Sequence, residues 1–143
     1  MWDKTLKLNF TYNHSSSSIH YRKQGIHGFD VHPHNDNLLV LWGFSNRITL
    51  IDVASNLGFT LLGYYEGSKE VIILCEISSS GKFLISIDRS NAIRIWDFTE
   101  KFIIQVYHPV GLYGSICSLI RFPFKDNFLI GSRSKILFLS IKE

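Results

Sequence analysis

Three stretches of this chain run through the same order: apolar run, polar turn, apolar run, short turn, apolar run. Such repetition restricts the architecture more than any single motif, because one unit of this size cannot bury its apolar face alone. The first stretch covers 26–33, turns at 34–37, continues through 38–43 and, after 45–47, ends with 48–52. The second covers 72–77, turns at 78–82, continues through 83–88 and, after 89–92, ends with 93–97. The third covers 117–122, turns at 123–126, continues through 127–131 and ends with 136–141. Ile, Leu, Val and Phe fill the runs, while Asn, Asp, Ser, Gly and Pro bound them, which marks short strands rather than helices.

A fourth run is available in the first two units, at 59–64 and 102–107. Four short antiparallel strands per unit is the build of a propeller blade. Aligned on the ends of their third strands, Asp3, Asp52, Asp97 and Ser140 are separated by 49, 45 and 43 residues, the first interval lengthened by the polar insert at 13–18. The expected fold is all-β: a partial β-propeller of about three four-stranded antiparallel blades plus the end of a preceding blade. Residues 1–24 are assigned to that end and its loop, 25–65 and 66–108 to two blades, and 109–143 to an incomplete third.

Ser86-Ile87-Asp88, followed by Ile93-Arg94-Ile95-Trp96-Asp97, resembles the WD-repeat family. In that family a Trp-Asp pair ends the third strand, a turn Asp binds the blade together, and a Ser or Thr and a His complete a hydrogen-bond network. The resemblance implies that Ser86, Asp88 and Trp96 form a structural network, with Ser68 standing where the His would be. The other units depart from the pattern. Ile51 replaces the Trp in the first and Phe44 lies near the place of its turn Asp, while the third ends Phe138-Leu139-Ser140 without either signature residue. Trp2-Asp3 looks like the tail of a preceding blade, with 6–10 as its outer strand. Closed propellers hold about four to eight blades. The expectation is therefore part of a longer polypeptide, or a piece whose ring is completed by another chain.

A narrower resemblance lies in 25–33 and in the long turn and strand at 88–97, which are similar to long WD-repeat proteins of motile cilia and flagella. Proteins of that group often carry EF-hands, and no EF-hand loop is found in this sequence. The resemblance implies an axonemal scaffold whose partners are axonemal complex subunits or tubulin, in the cytoplasm or the cilium.

Composition excludes several classes. Hydrophobic residues make up 45% and charged residues 19%, enough apolar material for a core and too much for disorder. The formal charge of +3 comes from scattered basic residues, whereas nucleic-acid binding asks for a clustered stripe. Cys75 and Cys117 both sit in apolar runs and are expected to be buried free thiols of a reducing compartment. Residues 102–120 carry no Lys, Arg, Asp or Glu, but Gln105, His108, Pro109, Gly111 and Gly114 interrupt them, so no membrane span is expected.

His32 and His34 bracket Pro33, with His27 and Asp36 nearby, yet no third metal ligand is fixed by spacing, and a loop with surface histidines is the better account. No phosphate-binding glycine pattern, nucleophile elbow or Cys-x-x-Cys pair is present, and Glu66, Glu70 and Glu76 form no pair that spacing places in one cleft. The expected function is a non-catalytic protein-interaction scaffold, without cofactor or metal. Phe44, Tyr64, Tyr65, Tyr107 and Tyr113 are its candidate contacts, inter-blade packing being the competing role of each. A propeller-based enzyme, with polar groups converging on the central channel, and a nucleic-acid module are the alternatives.

Overall fold

The structure, a computed structural model, describes residues 25–43, 45–55 and 58–142. The expected end of a preceding blade within 1–24 and the candidate contact Phe44 lie outside the described residues.

Eleven strands form three antiparallel sheets among the described residues. The first sheet takes β1 (Ile26–His32), β2 (Asn35–Gly43), β3 (Ile48–Ser55) and β4 (Gly58–Tyr65) in chain order. The second takes β5 (Ile72–Ile77), β6 (Phe83–Asp88), β7 (Ile93–Asp97) and β8 (Ile103–Tyr107). The third has β9 (Ile116–Arg121), β10 (Asn127–Ser132) and β11 (Ile136–Ser140), with β10 in the middle. The first strands of the three sheets lie side by side, β1 against β5 and β5 against β9.

Period-2 alternation explains how the sheets stack. On one face of the second sheet Leu84 and Trp96 join Val40, Trp42, Ile48, Leu50 and Tyr65 of the first sheet in one core. On the other face Ile85, Ile87, Ile93 and Ile95 meet Ile116, Phe128 and Ile130 of the third sheet in a second core. Both faces of β6 and β7 are covered, so these strands are buried along nearly their whole length, polar residues included. Each fully buried Ile, Leu or Phe contributes about 1.5–3 kcal/mol, so the two cores together outweigh any single polar tie between sheets.

Gly28 shows how tight the first core is. A Cβ there would lie 2.4 Å from Cζ2 of Trp42, so only glycine lets that indole lie against β1. The Trp42 Nε1–H then donates to the Ile73 carbonyl at 3.1 Å, tying the first sheet to the second.

Two local expectations change. The polar cluster 34–37 is not one long turn: Pro33-His34 turn alone and β2 already begins at Asn35. The pairing jumps from Val31↔Leu39 to His32↔Asn35, and the Asn35 side chain accepts the Asn37 N–H at 3.1 Å. That local bond substitutes for a ladder bond and lets the polar residues bulge. Cys117 is exposed, not buried, while Cys75 is buried as expected. The β9–β10 pairing passes from Ser118↔Gly131 to Ile116↔Ser132, so Cys117 is the extra residue of a bulge and falls out of the buried row.

Candidate functional site

The buried polar residues of the second sheet divide into two groups on the face turned to the first sheet. The Trp96 indole N–H donates to Ser86 Oγ at 2.9 Å across the β6–β7 ladder. Separately, Asp88 Oδ1 accepts from Ser90 N–H (2.9 Å), Ser90 Oγ (2.6 Å) and Ala92 N–H (3.1 Å), which shapes the turn between β6 and β7. Its Oδ2 takes the Arg94 guanidinium and lies 3.3 Å from Ser68 Oγ. Burial alone would raise the Asp88 carboxyl, but the bonds from Ser90, Arg94 and Ala92 and the Arg94 charge outweigh it and hold it below its usual value.

Ser86, Asp88 and Trp96 are thus all placed in buried hydrogen bonds, but not in one chain of them. Arg94 enters where the sequence reading had only Ser68 in place of the His. Ser68 Oγ donates to the Glu70 carbonyl at 2.8 Å and sits 3.3 Å from Arg94 Nη1. One signal for Arg94 was present in the sequence: it lies two residues before Trp96 on a strand and so shares its face.

A second polar cluster joins all three sheets where their first strands converge. Asp30 Oδ2 on β1 accepts the Ile77 N–H of β5 at 2.8 Å and Arg121 Nη1 of β9 at 3.1 Å. Arg121 Nη1 also donates to the Ile77 carbonyl at 3.0 Å, and its Nε lies 3.9 Å from Glu76 Oε1. Burial, then the nearby Asp30 carboxylate, push Glu76 upward against the opposing Arg121. Sequence spacing placed no partner for Glu76, because the cluster comes from three strands more than forty residues apart.

The hairpin turns on this side are linked from sheet to sheet. His32 Nδ1 accepts the His34 N–H at 3.2 Å and its Nε2–H donates to the Gly81 carbonyl at 3.2 Å, so the neutral ring is used at both nitrogens. Burial, the largest cause, lowers the His32 pKa. Gly81 has φ 76°, and a Cβ on it would lie 2.4 Å from the His32 ring. His34 Nε2–H donates to the Ser79 carbonyl at 2.8 Å. Ser79 and Ser80 continue the chain of bonds, Ser79 Oγ donating to the Lys125 carbonyl and the Ser80 N–H to Asp126 Oδ1 at 2.9 Å. The two histidines weighed as metal ligands therefore tie blade to blade. Among the described residues no group of three or more His, Cys, Asp or Glu is gathered to hold a metal.

On the opposite side, Asn91 (φ 66°) donates to the Gly114 carbonyl at 3.0 Å and accepts the Ile116 N–H at 2.9 Å. Arg89 N–H donates to the Val71 carbonyl at 2.8 Å, and Ile72 N–H to Ser45 at 2.9 Å. Both rims are thus frames of turns bonded across sheets.

The candidate contacts separate on this frame. Tyr65 is a correction: it is fully buried, and its hydroxyl donates to the Phe98 carbonyl at 2.6 Å. Its strand, β4, ends by turning that ring under the second sheet beside Trp96, so it packs between blades and offers no surface. Tyr64 carries the Arg47 guanidinium 4.1 Å above its ring. Tyr107 borders a cleft of about 400 Å³ against Leu137, Phe138 and Leu139 of β11, along the edge where the other two sheets carry a fourth strand. Tyr113, 80% exposed, stands free on a rim. Phe124, also 80% exposed, was missed, because a Phe beside Pro123 in a turn reads as packing.

No protein-family model matches the sequence, and no curated protein matches it. Solved structures do match. The chain is similar to Sqt1 of Saccharomyces cerevisiae, with 21% identity and a TM-score of 0.72 over 84% of this chain and 32% of that one. It is similar to the WD40 β-propeller domain of Doa1, with 18% identity and a TM-score of 0.64 over 79% of this chain and 35% of that one. It is also similar to the WD40 repeats of RRP9, with 20% identity and a TM-score of 0.70 over 86% and 37%. The fold is that of a WD40 β-propeller, and the three sheets are consecutive blades. The chain spans about a third of the length of these structures. No helix among the described residues is long and apolar enough to cross a membrane.

Proposed function

We propose that this chain is a non-catalytic scaffold that binds other proteins through the rims of its blades. The observation that carries the reading is the contrast on those rims: turns bonded across sheets hold the backbone, while Tyr113 and Phe124 project from them with 80% of their surface exposed. Large aromatics presented on a rigid frame bind at low entropic cost. The buried acid Asp88 favours the same reading, since its carboxylate is committed to Ser90, Ala92 and Arg94. Residues 25–65, 66–108 and 109–143 are taken as the blade units, with the ring completed by further residues of a longer chain or by a partner.

A photo-crosslinking amino acid placed at Tyr113, at Phe124 and, as a control, at Gln105 on the outer strand β8 tests this in cells. Discrete protein adducts from the two rim positions and none from Gln105 are expected. Absence of adducts from both rims overturns the reading.

The finer placement, in the cytoplasm and at the ciliary axoneme with axonemal subunits or tubulin as partners, is supported by the sequence resemblance of 25–33 and 88–97. Immunofluorescence of ciliated cells checks it: signal along the axoneme is expected, and signal confined to the cell body contradicts it.

A further inference from the structure

We infer that the rim between the second and third blades is a docking surface for an acidic segment of a partner protein. The inference rests on the scaffold reading and adds where the partner sits and what chemistry it brings.

In sequence the basic residues look scattered, but the fold brings two of them over one loop and a third onto the turn fastened to it. Asn91 fastens the turn after β6, which carries Arg89, to the loop 108–115 through Gly114 and Ile116. From the other side, the β10–β11 turn lays its cations over the same loop. A Cβ on Gly114 would sit 3.5 Å from Cδ of Arg133, and one on Gly111 3.2 Å from Nζ of Lys135. Both glycines have positive φ, 83° and 73°, and expose Val110 and Tyr113, at 93% and 80%, beside those cations.

Among the described residues the other arginines are answered. Arg47 pairs with Glu66, Arg94 with Asp88, and Arg121 with Asp30 and Glu76. Arg89, Arg133 and Lys135 have no ion pair among the described residues. Two unanswered cations over one loop, with Arg89 on the turn fastened to it, make a local positive potential that a partner's carboxylates complement, and arginine binds a carboxylate with two parallel hydrogen bonds. Tyr113 and Val110 supply the apolar part of the contact.

A nucleic acid is the less favoured occupant. It needs a basic path along several phosphates, whereas the unpaired cations here are confined to the turns around one short loop.

The test measures fluorescence anisotropy of the full chain with three labelled probes: a Glu/Asp-rich peptide containing one Leu, its Gln/Asn counterpart, and a single-stranded RNA. The acidic peptide is expected to bind and the neutral one not. Arg133→Glu with Lys135→Glu should weaken the acidic peptide at least about tenfold, while Lys125→Glu on the opposite rim leaves it unchanged, with melting curves showing that each variant is folded. Binding that ignores the double reversal, no binding at all, or RNA bound more tightly than the peptide overturns the inference. If the peptide fails while rim crosslinks still form in cells, the docking surface falls and the scaffold reading stands.

Discussion

Arg94 and Asp88 form a buried ion pair inside the second blade, their side chains 8% and 1% exposed, on the face that carries Trp96. Such a pair does not stabilise by attraction alone, since desolvating both charges costs several kcal/mol. Its stability depends on completion: Ser90 and Ala92 fill the remaining acceptor capacity of the carboxylate.

Removing one member should therefore cost much more than replacing both. Arg94→Met is expected to destabilise the chain by about 3 kcal/mol or more. Asp88→Asn combined with Arg94→Met should cost less than the sum of the single changes, with a coupling of at least about 1 kcal/mol. Urea unfolding midpoints of the four proteins of the cycle measure it, and strict additivity refutes the pairing.

Acid should unfold the chain through the same carboxylate. Asp88 and Asp126 are both held below the usual carboxylate value, for Asp126 because hydrogen bonds from Ser80, Ser78 and Ser79 outweigh its burial. A lowered folded pKa gives stability that is present above the unfolded value and lost as pH falls through the folded one. Stability is expected to drop below about pH 4, and Asp88→Asn should flatten that part of the profile. His32, also lowered, adds a shallower loss that begins as pH falls below the ordinary histidine value of about 6.5, and His32→Gln removes it.

Gly81 holds the link between the first two hairpin turns. Its left-handed φ and the His32 ring against it leave no room for a side chain. Gly81→Ala is expected to cost more than about 1 kcal/mol, seen as a lower melting temperature. Gly58→Ala also meets a positive φ but open space, so it should cost less.

The tyrosines should divide by burial. Tyr65→Phe loses the buried bond to the Phe98 carbonyl and is expected to cost about 1–2 kcal/mol. Tyr113→Ala should change stability by no more than about 0.5 kcal/mol while removing partner adducts. Equal stability effects would contradict the two placements.

Strand order and blade number were legible because each run repeats at nearly constant spacing and is bounded by polar turn residues. Ser86, Asp88 and Trp96, expected as one blade network from the resemblance at 86–97, are buried in two separate sets of hydrogen bonds. Arg94 was hidden by its charge, which reads as solvated unless its face is compared with that of Trp96. The cluster of Asp30, Glu76 and Arg121 and the turn contacts of His32, His34 and Ser79 depend on how separate sheets are brought together, which local pattern does not encode. Tyr64 and Tyr65 are neighbours in sequence on opposite faces of β4, so a reading by residue type could not tell the Arg47-covered ring from the core one.

The most direct test of the scaffold account compares the proteins that co-purify with the wild-type chain and with a Tyr113→Ala, Phe124→Ala double variant, quantified by mass spectrometry. The account predicts that a defined set of partners is lost from the variant while its melting temperature stays at the wild-type value. An unchanged partner set on a folded variant would contradict it.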